Sequence, residues 1–376
     1  MYPGTIAQTH PDRPAVIAAE DGTVLTYREL DHASMRLARL LHDAGLRPGQ
    51  HIAFLSTNRL EVYGIYWAAL RSGLYVTAIN HHLSPDETAY IVNDCAAEVL
   101  IVSADLAGLA AAIIDATPNV RLRLAFGAAV DGYDSYEEAV ARFPAEPLQT
   151  QPRGADMLYS SGTTGRPKGI KPPLSDKMID DPDDPAVVLF GLMYGFDEHT
   201  LYYSAAPIYH AAPLRFSAFV HCHGGTVVMA RQFDAATALE HIDKYRLTHS
   251  QWVPTMFVRM LKLPADVRSS FDVSSMKVAI HAAAPCSVEV KRAMMDWWGP
   301  ILHEYYSSTE GNGVSFIGPQ EWLARPGSVG RAGLGTVRIC DDSGVEVPIG
   351  QTGVVYFERD MVAFEYHNDD AKTTAA

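Results

Sequence analysis

From residue 26 to residue 142 the chain alternates helical and extended patterns, and this rhythm restricts it to a mostly parallel sheet with helices on both faces. TYRE at 26–29 is a capping box, in which threonine and glutamate satisfy backbone donors at a helix start. Leu30, Ala33, Leu37, Leu40, Leu41 and Ala44 follow at helical spacing, and Gly45 ends the helix. Pro48 and Gly49 turn into a strand at 51–55. A helix over 60–72 stops at Gly73, and a strand follows at 75–79. SPDE at 84–87 opens another capped helix, with proline at its first position. A strand at 99–102, an alanine-rich helix, a strand at 121–125 and a helix over 135–142 complete the series. Residues 143–154 carry Pro144, Pro147, Pro152 and Gly154 and read as a linker.

That linker leads into MLYSSGTTGRPKGI at 157–170. A short, mainly apolar run of strand type at 155–159 opens into a loop over 159–169. The loop holds Gly162, Gly165 and Gly169, the hydroxyls of Ser160, Ser161, Thr163 and Thr164, and Lys168. Glycines let backbone N–H groups close on an anion, hydroxyls donate to phosphate oxygens, and lysine adds a mobile positive charge. A plain surface loop needs no such density of donors, so the stretch reads as a polyphosphate cradle. It is not a Walker A loop, because Lys168 follows Pro167 and precedes Gly169 instead of standing between a glycine and a hydroxyl.

Residues 171–185 carry four prolines and five aspartates and read as an exposed excursion. The alternation then resumes, with strands expected at 201–204, 226–229, 249–253, 277–281 and 301–305. Helices are expected at 213–222, 235–245, 255–261 and 287–298. From about residue 325 the pattern becomes one of antiparallel hairpins, with a turn at DDSG, 341–344.

Three further segments carry chemistry. HEYYSSTEGNG at 303–313 follows a strand, and ligands in α/β sheets bind at the carboxyl ends of strands. Tyr306 offers an aromatic face to a purine, Thr309 a hydroxyl to a phosphate, and Glu310 a hard oxygen to Mg²⁺. HAAAPCS at 281–287 is a small-residue turn against which a flat ring could lie, although a tight strand-to-helix turn needs nothing more. PIYHAAP at 207–213 places His210 beside Tyr209, where a histidine serves either packing or a substrate. His221 and His223 flank Cys222 at a metal-like spacing, but Gly224 and Gly225 follow and no carboxylate is near.

Taken together, these strings resemble the adenylate-forming (AMP-binding) enzymes: acyl-CoA synthetases, aryl-CoA ligases, luciferases and peptide-synthetase adenylation domains. The loop at 157–170 matches their signature loop, and Tyr306, Thr309 and Glu310 match their Y-x-x-T-E motif, with Ser307 in place of a common glycine. WVPT at 252–255, GSVGRAGLG at 327–335 and FEYHNDDAKTTAA at 364–376 resemble later landmarks. The resemblance implies the large N-terminal domain of an acyl-CoA synthetase. Its parts would be α/β subdomains at 1–150 and 151–324, with mostly parallel sheets, and a smaller antiparallel β subdomain at 325–376. It implies ATP and Mg²⁺ as cofactors and coenzyme A as co-substrate. Candidate catalytic residues are Thr163, Lys168, His210 and Glu310, with Glu310 on the metal. The nucleotide would also meet Ser160, Ser161, Gly162, Thr164, Gly165, Ala282, Ala283, Ala284, Pro285, Tyr306 and Thr309. The acid would meet Tyr209, His210 and Trp252, although Trp252 reads at least as well as plain core. The family's ribose aspartate, hinge and C-terminal lid domain with its lysine would lie beyond residue 376. The chain as given is therefore expected to bind nucleotide and to turn over poorly. Loading of a carrier-protein thiol, or nucleotide binding without catalysis, remain alternatives.

Charge and composition bound the partners. A net charge of −14 argues against a broad nucleic-acid surface. Four scattered cysteines form no CxxC pair, so no disulfide framework or structural zinc is expected. No signal region or apolar run of about 18 residues occurs, so a reduced, cytoplasmic setting is expected. Phe190, Tyr194, Tyr209, Phe216, Trp252 and Phe257 suggest an apolar pocket. The expected partner is accordingly a small apolar carboxylic acid, with a second copy of the chain as an open alternative.

Overall fold

The capping box forms as expected. Thr26 N–H donates to Glu29 Oε2 at 2.8 Å, Glu29 N–H donates to Thr26 Oγ1 at 3.2 Å, and the helix Tyr27–Asp43 follows. Ser84 and Glu87 make the same exchange before the helix Pro85–Asp94. The computed structural model describes residues 2–160, 166–182 and 184–375. Contacts divide the chain into two units, Met1–Phe233 with Tyr366–Ala376, and Asp234–Glu365.

The first unit contains a six-stranded parallel sheet in the order Asp134–Ser135, Leu122–Phe126, Ala97–Ser103, His51–Leu55, Tyr75–Ile79, Ala155–Asp156. His51–Leu55 and Tyr75–Ile79 are buried along their whole length, as parallel strands covered on both faces must be. Gly73, at φ 69°, makes the turn between helix and strand. A Cβ there would lie 2.8 Å from Pro152 Cγ, so no larger residue fits where the linker passes. A second group of strands joins Val24–Thr26, Pro14–Ala18, Thr226–Met229 and Leu201–Ser204, parallel except for the first pair. A third, small sheet is antiparallel and pairs Leu158–Ser160 with Lys168–Lys171.

In the second unit His249–Trp252, Val278–His281 and Leu302–Ser307 run parallel. Val314–Ile317 and Arg331–Leu334 then add antiparallel strands. The expected hairpin forms between Thr336–Cys340 and Val354–Glu358 around the DDSG turn.

Two expectations need correction. The run 155–159 is not one strand: Ala155–Asp156 joins the parallel sheet, and Leu158–Ser160 leaves it for the antiparallel one. The proline- and aspartate-rich excursion is not simply exposed. Pro152 bridges to Met178, Ile179 N–H donates to Gln151 O at 2.9 Å, and the Ile179 side chain is buried, so this segment packs back along the linker. An unforeseen helix, Pro185–Tyr194, follows it, capped by Asp184 and ended by Gly195 at φ 68°.

Candidate functional site

In the first unit, the stems of the loop are held from several sides. Lys168 sits opposite Ser160 and Gly169 opposite Tyr159. Ser161, Gly162, Thr163, Thr164 and Gly165 lie outside the described residues. On the first stem Met157 N–H donates to Val76 O at 2.9 Å, and Thr77 Oγ1 donates to Met157 O at 2.8 Å. Tyr159 Oη donates to Asp94 Oδ2 at 2.5 Å, and burial together with that carboxylate raises the phenol's pKa, so it stays protonated. Gly169 sits at a close approach: a Cβ there would lie 3.0 Å from Met157 Cε and from Tyr159 Oη, so those side chains would have to give by a few tenths of an ångström. On the second stem, cations lie over aromatic rings. The Arg166 guanidinium is 5.1 Å from the Tyr90 ring, Lys168 Nζ 5.1 Å from Tyr366, and Lys171 Nζ 5.4 Å from Tyr75. In a protein of net charge −14, three cations flanking one hairpin make a local positive field suited to a polyanion.

The Tyr209–His210 segment belongs to the same unit. Its base is fixed by Asn58, a buried side chain that sequence reading did not single out. Asn58 Oδ1 accepts from Ile208 N–H at 2.8 Å, while Nδ2 donates to Ala206 O at 3.1 Å and Ala230 O at 2.8 Å. The Tyr209 ring contacts His210 at 4.4 Å and His81 at 5.2 Å, and His82 lies 4.3 Å from His81. Burial first, then His81 and His82, lower the His210 pKa, so at neutral pH its imidazole is neutral and both donates and accepts. His81 and His82 also escaped the sequence reading. The adjacent pair ahead of the capped helix was their only signal. Downstream, Arg215 pairs with Asp156 (Nη2–Oδ1 2.7 Å, Nε–Oδ2 2.8 Å), tying the helix Ala211–Cys222 to the strand that leads into the loop.

The His221–Cys222–His223 triplet is structural. His221 is fully buried, with Nδ1 accepting from Trp67 Nε1 at 3.3 Å and Nε2 at 3.2 Å from Ala15 O, and burial takes its pKa to about 3. The aromatic residues expected to line a pocket pack mainly on one another. Phe190 lies 5.3 Å from Phe216 and 6.1 Å from Tyr194, and both Phe216 and Tyr194 are buried.

In the second unit, strand pairing places His281 opposite Glu304, so both strands deliver their carboxyl ends to one edge. From one end comes the turn at 282–285. Ala282 is buried, Ala283 takes a left-handed φ of 72°, and Ala283, Ala284 and Pro285 are exposed. From the other come Tyr306, 45% exposed and stacked 6.3 Å from Phe357, and the turn bearing the half-buried Thr309 and Glu310. Ser307 Oγ donates to Gly313 O at 2.6 Å, closing that turn. Beneath them Lys291 Nζ donates to Glu304 Oε2 at 2.6 Å, and His281 Nε2 lies 3.5 Å from the same oxygen.

Trp252 must be corrected as a substrate contact. It is 0% exposed, bonded to Ser250 Oγ, and packed on Phe257 and Trp298, so it offers no surface to a ligand. A shallow hollow of about 420 Å³, lined by residues including Leu261, Arg268 and Trp297, contains none of the candidate residues and lacks their chemistry.

Residues 5–367 match the AMP-binding enzyme family. The chain belongs to that family. Among its relatives are a feruloyl-CoA synthase of Amycolatopsis sp. and an indoleacetate–CoA ligase of Aromatoleum aromaticum. The first is 29% identical over 360 residues, covering 94% of this chain and 68% of the relative. The second is 27% identical over 380 residues, covering 98% and 70%. A fatty acid–acyl-carrier-protein ligase, ScoC of Streptomyces coeruleorubidus, is 26% identical over 396 residues, covering 98% and 70%. The fold is that of the N-terminal domain of FACL13 from Mycobacterium tuberculosis, with a TM-score of 0.84 at 22% identity, covering 100% of this chain and 92% of that one. At the family level the chain is an adenylate-forming acid–thiol ligase type, and family membership implies ATP and a carboxylic acid. Among the described residues no helix is long and apolar enough to cross a membrane.

Proposed function

We propose that this chain binds ATP and an apolar carboxylic acid and carries the acyl-adenylation step of an acyl-CoA synthetase. The observation that supports this best is the loop-stem frame, with Lys168 opposite Ser160 and cations on both sides of it. The acid's carboxylate oxygen attacks the α-phosphorus, the bond to the bridging oxygen breaks, and pyrophosphate leaves. The thiolate of coenzyme A then attacks the acyl carbonyl and AMP leaves. Both reactants of the first step are anions, so the protein must screen charge and align them.

In this reading Lys168 and the loop hydroxyls, Thr163 among them, hold the β- and γ-phosphates. The 282–285 turn and Tyr306 border the adenine. Among the described residues no cluster of three or more histidine, cysteine, aspartate or glutamate side chains could hold a metal. A Mg²⁺ on Glu310 would therefore take its other ligands from phosphate and water, the usual arrangement for this ion. Tyr209 and the neutral His210 face the acid. The relatives' names point to feruloyl and indoleacetate groups, which favours an aromatic or fatty acid over acetate.

The test is calorimetry joined to pyrophosphate release. Lys168→Ala should weaken ATP roughly tenfold to a hundredfold, the size of a lost charge-assisted hydrogen bond, and change AMP little. Glu310→Gln keeps the shape and removes the charge, so Mg²⁺ should no longer enhance ATP binding. Equal losses for ATP and AMP, or an intact Mg²⁺ effect, would reassign these residues. Pyrophosphate release should be faster with aromatic and medium-chain acids than with acetate. The ScoC likeness favours one second reading, transfer to a carrier-protein thiol, and supplying coenzyme A or a carrier protein separates the two.

A further inference from the structure

The segment that begins at Tyr366 returns from the far end of the sequence to lie as a third strand beside Lys168–Lys171. His367 N–H donates to Gly169 O at 2.8 Å, inside the loop's second stem. One further bond ties the segment to the helix Pro85–Asp94, and two more close it on itself. Asn368, at φ 58°, donates through Nδ2 to Asp94 O at 3.2 Å. Thr373 Oγ1 accepts from Tyr366 N–H at 2.9 Å, and Thr373 N–H donates to Asp369 O at 3.0 Å. Asp94 also accepts from Tyr159 on the first stem, so one helix end braces both the loop and the returning strand.

This brings the half-buried Tyr366 ring to 5.1 Å from Lys168 Nζ. A lysine ammonium on four methylenes samples many rotamers, and each phosphate contact must order it anew. An aromatic face attracts the ammonium without neutralising it and leaves its three N–H donors available on the side away from the ring. A carboxylate in the same place would hold the lysine against the incoming anion. Asp369 supplies only a weak pull of that kind: its charge is stabilised chiefly by the Lys372 amide, with Lys168 the last of its contributors.

We propose that Tyr366 is a positioning residue for ATP use, holding the Lys168 ammonium over its ring in the orientation that meets the terminal phosphates. The proposal rests on Lys168 contacting those phosphates, as argued above. It makes the 366–375 segment part of the phosphate site although it lies about 200 residues away in sequence.

The experiment measures ATP and AMP affinities for five proteins: wild type, Lys168→Ala, Tyr366→Leu, Tyr366→Phe and the Lys168→Ala/Tyr366→Leu double variant. Tyr366→Leu should weaken ATP roughly threefold to thirtyfold, the range of a partly desolvated cation–π contact, and leave AMP unchanged. Tyr366→Phe keeps the ring face and should restore ATP affinity. The double variant should be no weaker than Lys168→Ala alone, because the ring acts only through the lysine. If Tyr366→Leu does not fold, Tyr366→Trp, with a stronger face, should bind ATP at least as well as wild type. A weakened Lys168→Ala together with an unaffected Tyr366→Leu overturns the proposal and leaves the phosphate reading standing. Additive losses, or a phenylalanine variant no better than leucine, overturn it equally. ATP binding indifferent to Lys168→Ala overturns both.

Discussion

Lys291→Ala is expected to cost about 3–5 kcal/mol of stability, the usual consequence of stranding one partner of a buried ion pair. Lys291 is 0% exposed, its Nζ lies 2.6 Å from Glu304 Oε2, and it sits 4.8 Å from the Trp322 ring centroid. Burial pulls its pKa below the ordinary value against the opposing pull of Glu304. Removing the ammonium strands the Glu304 carboxylate, whose remaining close neighbour is the His281 imidazole at 3.5 Å, a group that burial disfavours from taking up a proton. Urea denaturation should report the loss. The double variant Lys291→Met/Glu304→Leu, which removes both charges, should recover most of it. A single variant as stable as the wild type would mean that Glu304 finds water in place of its partner. Under the proposed function the pair matters because it joins the helix Val288–Trp298 to the strand Leu302–Ser307. These are the two elements that carry the small-residue turn and Tyr306.

Acid should destabilise the protein well before its carboxylates titrate. Burial lowers His221 and His281 from 6.5 to about 3 and His51 to about 4. All three are therefore neutral in the fold and titrate near 6.5 once unfolded. A depressed folded pKa contributes stability that is complete above the unfolded value and is lost as pH falls toward the folded one. The window runs from 6.5 down to about 3 for His221 and His281, and to about 4 for His51. At about pH 5 each imidazole should cost on the order of 2 kcal/mol relative to neutral pH. Urea unfolding at about pH 7.5 and about pH 5 measures the sum. His221→Gln removes one titrating group while keeping a donor and an acceptor. Its stability should fall less steeply with pH, by about 1.4 kcal/mol per pH unit within the window. Parallel slopes for variant and wild type would refute the assignment.

The features legible in the sequence were those with local causes. Thr26 with Glu29, and Ser84 with Glu87, are three residues apart and cap the same helices wherever those helices dock. The turn signals at Pro48-Gly49 and Gly73 placed strands at 51–55 and 75–79, and the DDSG turn announced its hairpin. Lys168 and Gly169 were singled out because donor type and spacing are local too. The helix Pro185–Tyr194 was missed although Asp184, Pro185 and Gly195 mark its ends, because its apolar residues run all round it and leave no helical period. Other facts were decided only by packing between distant segments. Pro14–Ala18 pairs with Thr226–Met229 across some two hundred residues, and no short-range pattern encodes that partner. Whether an aromatic residue lines a pocket or fills a core depends on what covers it, so Trp252 and Tyr306 look alike in sequence yet one is 0% and the other 45% exposed. Lys291 reads as a surface position on an amphipathic helix until Glu304 is found beneath it. His81 near Tyr209 and Tyr366 beside Lys168 are likewise products of chain return. Caps, turns and periods depend on neighbours a few bonds away, whereas burial, charge pairing and the placement of a ring over an ammonium depend on which distant surfaces meet.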